Sequence, residues 1–116
     1  MLVDTSLPTD LHKVKEASIL ANELGFDGIF AAEVTADPFV TSAVASQHVQ
    51  NMDLGTKIAV AFARTPMTTA YAAYNLGELS DGRFHLGLGT QVRAHVTRRF
   101  SMPWSQPSAR MREYVV

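Results

Sequence analysis

The sequence predicts a parallel α/β fold, the N-terminal half of a TIM (β/α)8 barrel built from four β/α units. Three observations carry that prediction. Apolar stretches of strand character begin near Leu2, Phe26, Ile58 and Phe84 and alternate with helical patterns, the order that parallel strands joined by right-handed crossovers require. Helix-start residues Thr9, Asp37 and Thr65 recur at intervals of 28 residues. The 116 residues suffice for one small domain, and four units make up half of a barrel of about 250 residues.

The elements follow in order. The first strand leads to Thr9, whose side chain can accept hydrogen bonds from the free amides of a first helical turn. Leu11, Val14, Ala17, Ala21 and Leu24 then share one helical face, and Gly25 stands where a left-handed residue ends a helix. The second strand closes at Glu33. Asp37 caps the second helix, and Pro38 occupies the first helical position, where no N–H is needed. Phe39, Ala43, Val44 and Met52 form a looser apolar face.

The third strand, "KIAVAFA", is nearly continuous in apolar residues after Lys57, as expected where both faces of a sheet are covered. Thr65 and Pro66 open a third helix with Met67, Ala70, Tyr71, Tyr74 and Leu79 as its apolar positions, and Gly82 follows it. The fourth strand, from Phe84, gives way to a long connection, Thr90–Gln106, before a fourth helix opens near Pro107. Residues 1–116 thus read as a single partial barrel domain, cut within its fourth helix. An open dinucleotide-binding sheet would need Gly-x-Gly-x-x-Gly after its first strand. Here "LPTD" follows that strand, and the one Gly-x-Gly, Gly87 and Gly89, comes after the fourth with Val92 in the third glycine's place.

Composition narrows the partners. Hydrophobic residues make up 47% and charged residues 18%, which suits a globular chain. No apolar run reaches the roughly 18 residues of a membrane span and no signal peptide opens the chain, so no membrane partner is expected and a cytoplasmic location is the default. Cysteine is absent, and His12, His48 and His85 show no ligand spacing, so no metal is expected. Residues 1–82 carry four Lys/Arg against ten Asp/Glu, a balance of −6, whereas residues 83–116 carry six Arg against Glu113 alone, a balance of +5. These arginines lack the interleaved aromatics and recognition helix of a nucleic-acid binder, so no nucleic acid is expected.

The blocks "ELGFDGIFAAE", "LGTKIAVAFARTP", "LSDGRFHLGLG" and "MPW…ARMREYV", in that order, resemble the luciferase-like flavin/deazaflavin oxidoreductase family, and within it the coenzyme F-420-dependent subgroup. The resemblance covers essentially the whole chain and the first third or so of a family member. It implies a barrel with the cofactor ring at the C-terminal mouth of the strands, where barrel chemistry sits. The implied reaction is hydride transfer between a deazaflavin, coenzyme F-420, and a small organic substrate. A reduced-FMN-dependent monooxygenase is the alternative.

The same resemblance assigns the site. Glu33 takes the place of an acid that relatives often follow with histidine; Val34 and Thr35 stand there instead, which leaves Glu33 either to orient substrate or to hold a structural hydrogen bond. Val60, Ala61 and Phe62 are expected to bear a non-prolyl cis peptide against the ring. Gly89, Thr90 and Gln91 would form the wall beside it. Arg93 and His95 would reach its phosphate-bearing tail, a task that suits a guanidinium. Arg98 and Arg99 are left to solvent or to salt bridges, and Trp104 to packing. The basic loop favours the deazaflavin, whose tail is more anionic than that of FMN. A non-catalytic reading stands beside these, in which the half-barrel associates with itself through its open sheet edges.

Overall fold

The four expected strands form in order and pair in parallel, but the third and fourth are each interrupted. In the computed structural model, which describes residues 1–116, the elements are β1 (Asp4–Ser6), α1 (Leu11–Glu23), β2 (Gly28–Ala31), α2 (Pro38–Ser46), β3 (Asp53–Thr56), β4 (Ala59–Val60), a 3-10 turn (Ala61–Ala63), α3 (Pro66–Leu79), β5 (Phe84–His85), β6 (Leu88–Gly89), a π-helical turn (His95–Arg99) and α4 (Pro107–Val115). The main sheet has the order β1-β2-β3-β5, and β4 pairs with β6 beyond it. Strands in sequence order with a helix after each are the arrangement of a barrel wall.

Pairing assigns the two faces. Thr5, Ile29, Leu54 and Phe84 stand in one row across the sheet. In a parallel sheet, paired residues share a face, and this row turns toward the helices. There Ile29 and Leu54 join Leu7, Val14, Ala21, Ala45, Val49 and Met52 in the largest core cluster. The adjacent row, Ser6, Phe30, Gly55 and His85, turns to the concave side that a barrel would enclose.

The helix ends follow local chemistry. Asp37 accepts the Phe39 amide at 2.8 Å and Thr65 the Thr68 amide at 3.2 Å, as the sequence predicts. The first cap is Asp10, which accepts from His12, and not Thr9; the aspartate is the residue next to the first turn. Gly25 and Gly82 have φ of +77° and +82°, the left-handed conformation expected after a helix.

All three helical faces differ in part from expectation: on the first, Val14 and Ala21 are buried but Leu11 and Leu24 are exposed. Met67, Tyr71, Tyr74 and Leu79 are exposed, while α3 buries Thr69 and Leu76. A 3.6-residue period says that a helix forms but not which stripe the sheet accepts. Leu76 packs against Phe39 and Ala59, and that contact selects the buried stripe. Met52 and His48 both lie beyond the end of α2; Met52 is buried just before β3.

The interruption of the third strand has a definite register. Leu54 pairs with Phe84 and Gly55 with His85, whereas Ala59 pairs with Leu88 and Val60 with Gly89. Three residues, Thr56, Lys57 and Ile58, therefore lie opposite two, Leu86 and Gly87, which is a one-residue bulge. The Lys57–Ile58 peptide within it is cis. This corrects the expectation of a cis bond among Val60, Ala61 and Phe62. Strand pairing begins at Asp53, five residues before the apolar run at Ile58, so the break falls earlier in the chain.

The Thr56 hydroxyl spans the gap. It donates to the Gly87 carbonyl at 2.7 Å and accepts from the Gly87 amide at 3.0 Å, standing in for ladder bonds the bulge removes. A Cβ at Gly87 would sit 2.1 Å from the Thr56 carbonyl oxygen, so this close approach admits only glycine.

The last third folds over the start of α3. Phe62 is fully buried between Trp104 and Tyr114, with ring centroids 6.2 and 6.4 Å away. Trp104 is thus a packing anchor, as the sequence suggests. The Tyr114 hydroxyl bonds Thr69 and the Thr65 carbonyl, tying α4 to the start of α3. No helix is long and apolar enough to cross a membrane.

Candidate functional site

The ends of β2, β4 and β6 meet at one rim of the sheet, and the side chains just beyond them converge. Glu33 follows β2 and Arg64 follows the 3-10 turn after β4. Arg64 Nη1 and Nη2 donate to Glu33 Oε2 and Oε1 at 2.8 and 2.7 Å, a bidentate pair. Only 6% of the Glu33 side chain and 16% of the Arg64 side chain are exposed. Glu33 Oε2 also accepts the Val60 amide, and Arg64 Nη1 donates to the Val60 carbonyl at 3.1 Å. Asp37 joins through Oδ2, 3.2 Å from Arg64 Nη2, while its other oxygen caps α2. The Arg64 guanidinium lies over the Phe39 ring, 5.0 Å from its centroid.

Burial alone would lower the pKa of Arg64. The hydrogen bond and charge of Glu33, with a smaller contribution from Asp37, outweigh it, and the pKa is raised above its ordinary value. A raised arginine pKa means that the guanidinium's share of the pair is complete at neutral pH and is lost as the pH rises into the strongly alkaline range.

Beside this cluster lies an open cleft of about 400 Å³ lined by Glu33, Thr35, Asp37, Arg64, Arg99 and Phe100, among others. Arg99 therefore belongs to the rim, although the sequence reading leaves it to solvent or salt bridges. It forms no salt bridge; its guanidinium lies 5.3 Å from the Phe100 ring centroid. Arg64 is a second site residue that the sequence reading does not single out. The available signal was its position, since it follows one strand end as Glu33 follows the neighbouring one.

The other expected residues divide. Val60 and Gly89 are brought opposite each other as a register pair, and both lie at strand ends. Val60, Ala61 and Phe62 are all buried, and the Phe62 ring points into the Trp104–Tyr114 cluster. Thr90 lines a separate open hollow of about 590 Å³ with Pro107, Ser108, Met111 and Arg112. Gln91 turns the chain with φ of +57°. Arg93 and His95 are exposed on the π-helical segment and its approach. No carboxylate lies within ion-pair distance of any arginine from Arg93 to Arg112. A rim that leaves a run of arginines without acids has the donors to hold an anionic group.

Comparison with known proteins identifies the family and the fold. The chain is 47% identical over 113 residues to the uncharacterized protein Rv1360 of Mycobacterium tuberculosis, an alignment covering 97% of this chain and 33% of that protein. A second M. tuberculosis protein, Rv3520c, whose name assigns it provisionally as a coenzyme F420-dependent oxidoreductase, is 38% identical over 96 residues, 82% of this chain and 28% of its own. Among solved structures, the oxygenating constituent of 3,6-diketocamphane monooxygenase from Pseudomonas putida, in complex with FMN, superposes with a TM-score of 0.84 at 14% identity. It covers 99% of this chain and 38% of its own. The chain spans about a third of the length of the curated relatives it matches. The model of the luciferase-like monooxygenase family matches residues 2–116, and with that match over nearly its whole length the chain belongs to this family.

Proposed function

We propose that the chain forms the cofactor-facing part of an oxidoreductase that transfers hydride between coenzyme F-420 and a small organic substrate. The observation that carries this reading is the rim itself. The paired strand ends Val60 and Gly89 stand beside a segment whose arginines, Arg93, Arg98 and Arg99, have no acidic partner. Unpaired guanidinium groups suit the anionic tail of a deazaflavin, and the relative Rv3520c carries a coenzyme F420 assignment in its name. On this reading Val60, Ala61 and Phe62 back the ring, Gly89, Thr90 and Gln91 form a wall, and Arg93 and His95 contact the tail. The bound cofactor supplies the hydride chemistry, while the chain supplies position and charge.

A reduced-FMN-dependent monooxygenase is the second reading, supported by the fold shared with the FMN-bound camphane monooxygenase. Titration of the protein expressed from the longest reading frame containing this sequence separates the two. Coenzyme F-420 is expected to bind at least about tenfold more tightly than FMN, a difference of about 1.4 kcal/mol. Tighter FMN binding would transfer the assignment to the monooxygenase, and binding of neither would remove both.

A further inference from the structure

We propose that Glu33 and Arg64 are positioning residues that together hold the buried backbone of Val60, the strand end behind the proposed cofactor site. The inference builds on the cofactor reading above, but the holding geometry is independent of it. Along one edge, β4 pairs with β6 through Ala59–Leu88 and Val60–Gly89. Along its other edge the neighbouring strand β2 ends at Ala31, and the ladder closes with Lys57 donating to Ala31 at 2.8 Å and Glu33 donating to the Ile58 carbonyl at 3.3 Å. Beyond that point no neighbouring strand is available to the Val60 N–H, while the Val60 C=O opens the 3-10 turn Ala61–Ala63.

Two side chains take over. The Glu33 carboxylate accepts the Val60 N–H, and Arg64 donates to the Val60 C=O. The bidentate bond between the two side chains closes the ring of contacts. Asp37 anchors Arg64 to the start of α2. A buried N–H left without such a partner is strongly disfavoured, so Glu33, held in place by Arg64, sets where residue 60 stands. Glu33 acts through this contact and not by moving a proton: both of its oxygens already accept hydrogen bonds from the protein, and its side chain is almost wholly enclosed.

The test uses Glu33→Gln, which keeps an acceptor for the Val60 amide but removes the charge, and Arg64→Lys, which keeps the charge but removes the fork. Both are made in the protein from the longest reading frame. Amide exchange at Val60, measured without cofactor, is expected to accelerate about tenfold in each variant. The dissociation constant for FMN or coenzyme F-420, whichever the unmodified protein binds, is expected to rise about tenfold, since a loosened site binds less well. The pH–rate profile should keep its shape. Unchanged exchange at Val60 in both variants overturns the proposal. So does a Glu33→Gln protein with normal exchange and binding whose turnover is lost along with one limb of the pH profile. If Glu33→Gln does not fold, the Val60 exchange rate in Arg64→Lys decides alone. Failure of the cofactor reading is distinguishable, because the unmodified protein would then bind neither probe while Val60 exchange still reports on the pair.

Discussion

Two pairs of oppositely ionisable side chains bridge neighbouring strands of this sheet, one near each end. At the C-terminal rim, Arg64 and Glu33 are mostly buried, meet in two hydrogen bonds and hold the backbone of Val60 between them. Near the other end, His85 Nε2 lies 3.1 Å from Asp53 Oδ2, with 60% and 51% of the two side chains exposed. Each pair joins adjacent parallel strands, yet only the first is withdrawn from water and tied to main-chain groups. A buried pair that loses one member leaves an uncompensated charge, whereas an exposed pair exchanges its partner for water at little cost. The rim that bears the candidate site is therefore the end of the sheet whose geometry is most strongly specified.

That contrast can be broken in order of effect. Arg64→Ala is expected to lower the unfolding free energy by about 3–5 kcal/mol, because it strands the Glu33 carboxylate; urea denaturation would measure it, and a loss below about 1 kcal/mol would place this pair in the same class as the exposed one. Thr56→Val, at the bulge between the two ends, keeps the side-chain shape but removes the hydroxyl that serves both polar groups of Gly87. Its expected loss is about 1–3 kcal/mol in the same experiment. Asp53→Asn should change stability by less than about 1 kcal/mol. A larger loss would mean that the exposed contact organises the concave face as well.

Much of the fold was legible along the chain because it depends on short-range chemistry. Asp37, Thr65, Pro38 and Pro66 mark helix starts through amides that any helix leaves free, and Gly25 and Gly82 mark the turns that follow. The start of β3 was not legible. In "DLGT" the alternation places Leu54 in the helix-facing core, while Asp53 and Gly55 face the concave side, so the segment looks like a turn until its neighbours are known. The outward stripe of Met67, Tyr71 and Tyr74 misled for a related reason: periodicity reports a helix, and packing chooses its buried face.

The candidate site divides in the same way. Glu33, Val60 and Gly89 could be picked out as strand-end residues, and the resemblance to the luciferase-like family pointed to them. Neither Arg64 as the partner of Glu33 nor Arg99 at the cleft could be read from spacing, because their partners lie on other β/α units or across the long Thr90–Gln106 connection.

By itself, then, the sequence determined the alternation of strands and helices, the caps at Asp37 and Thr65 and the basic C-terminal segment. Each of these arises from residues within a few positions of one another or from composition. Only the tertiary structure decided the bulge register, the faces that helices bury and the Glu33–Arg64 hold on Val60. These depend on which strand ends come side by side, and a parallel sheet brings together residues some 30 positions apart through backbone pairing that no local pattern encodes.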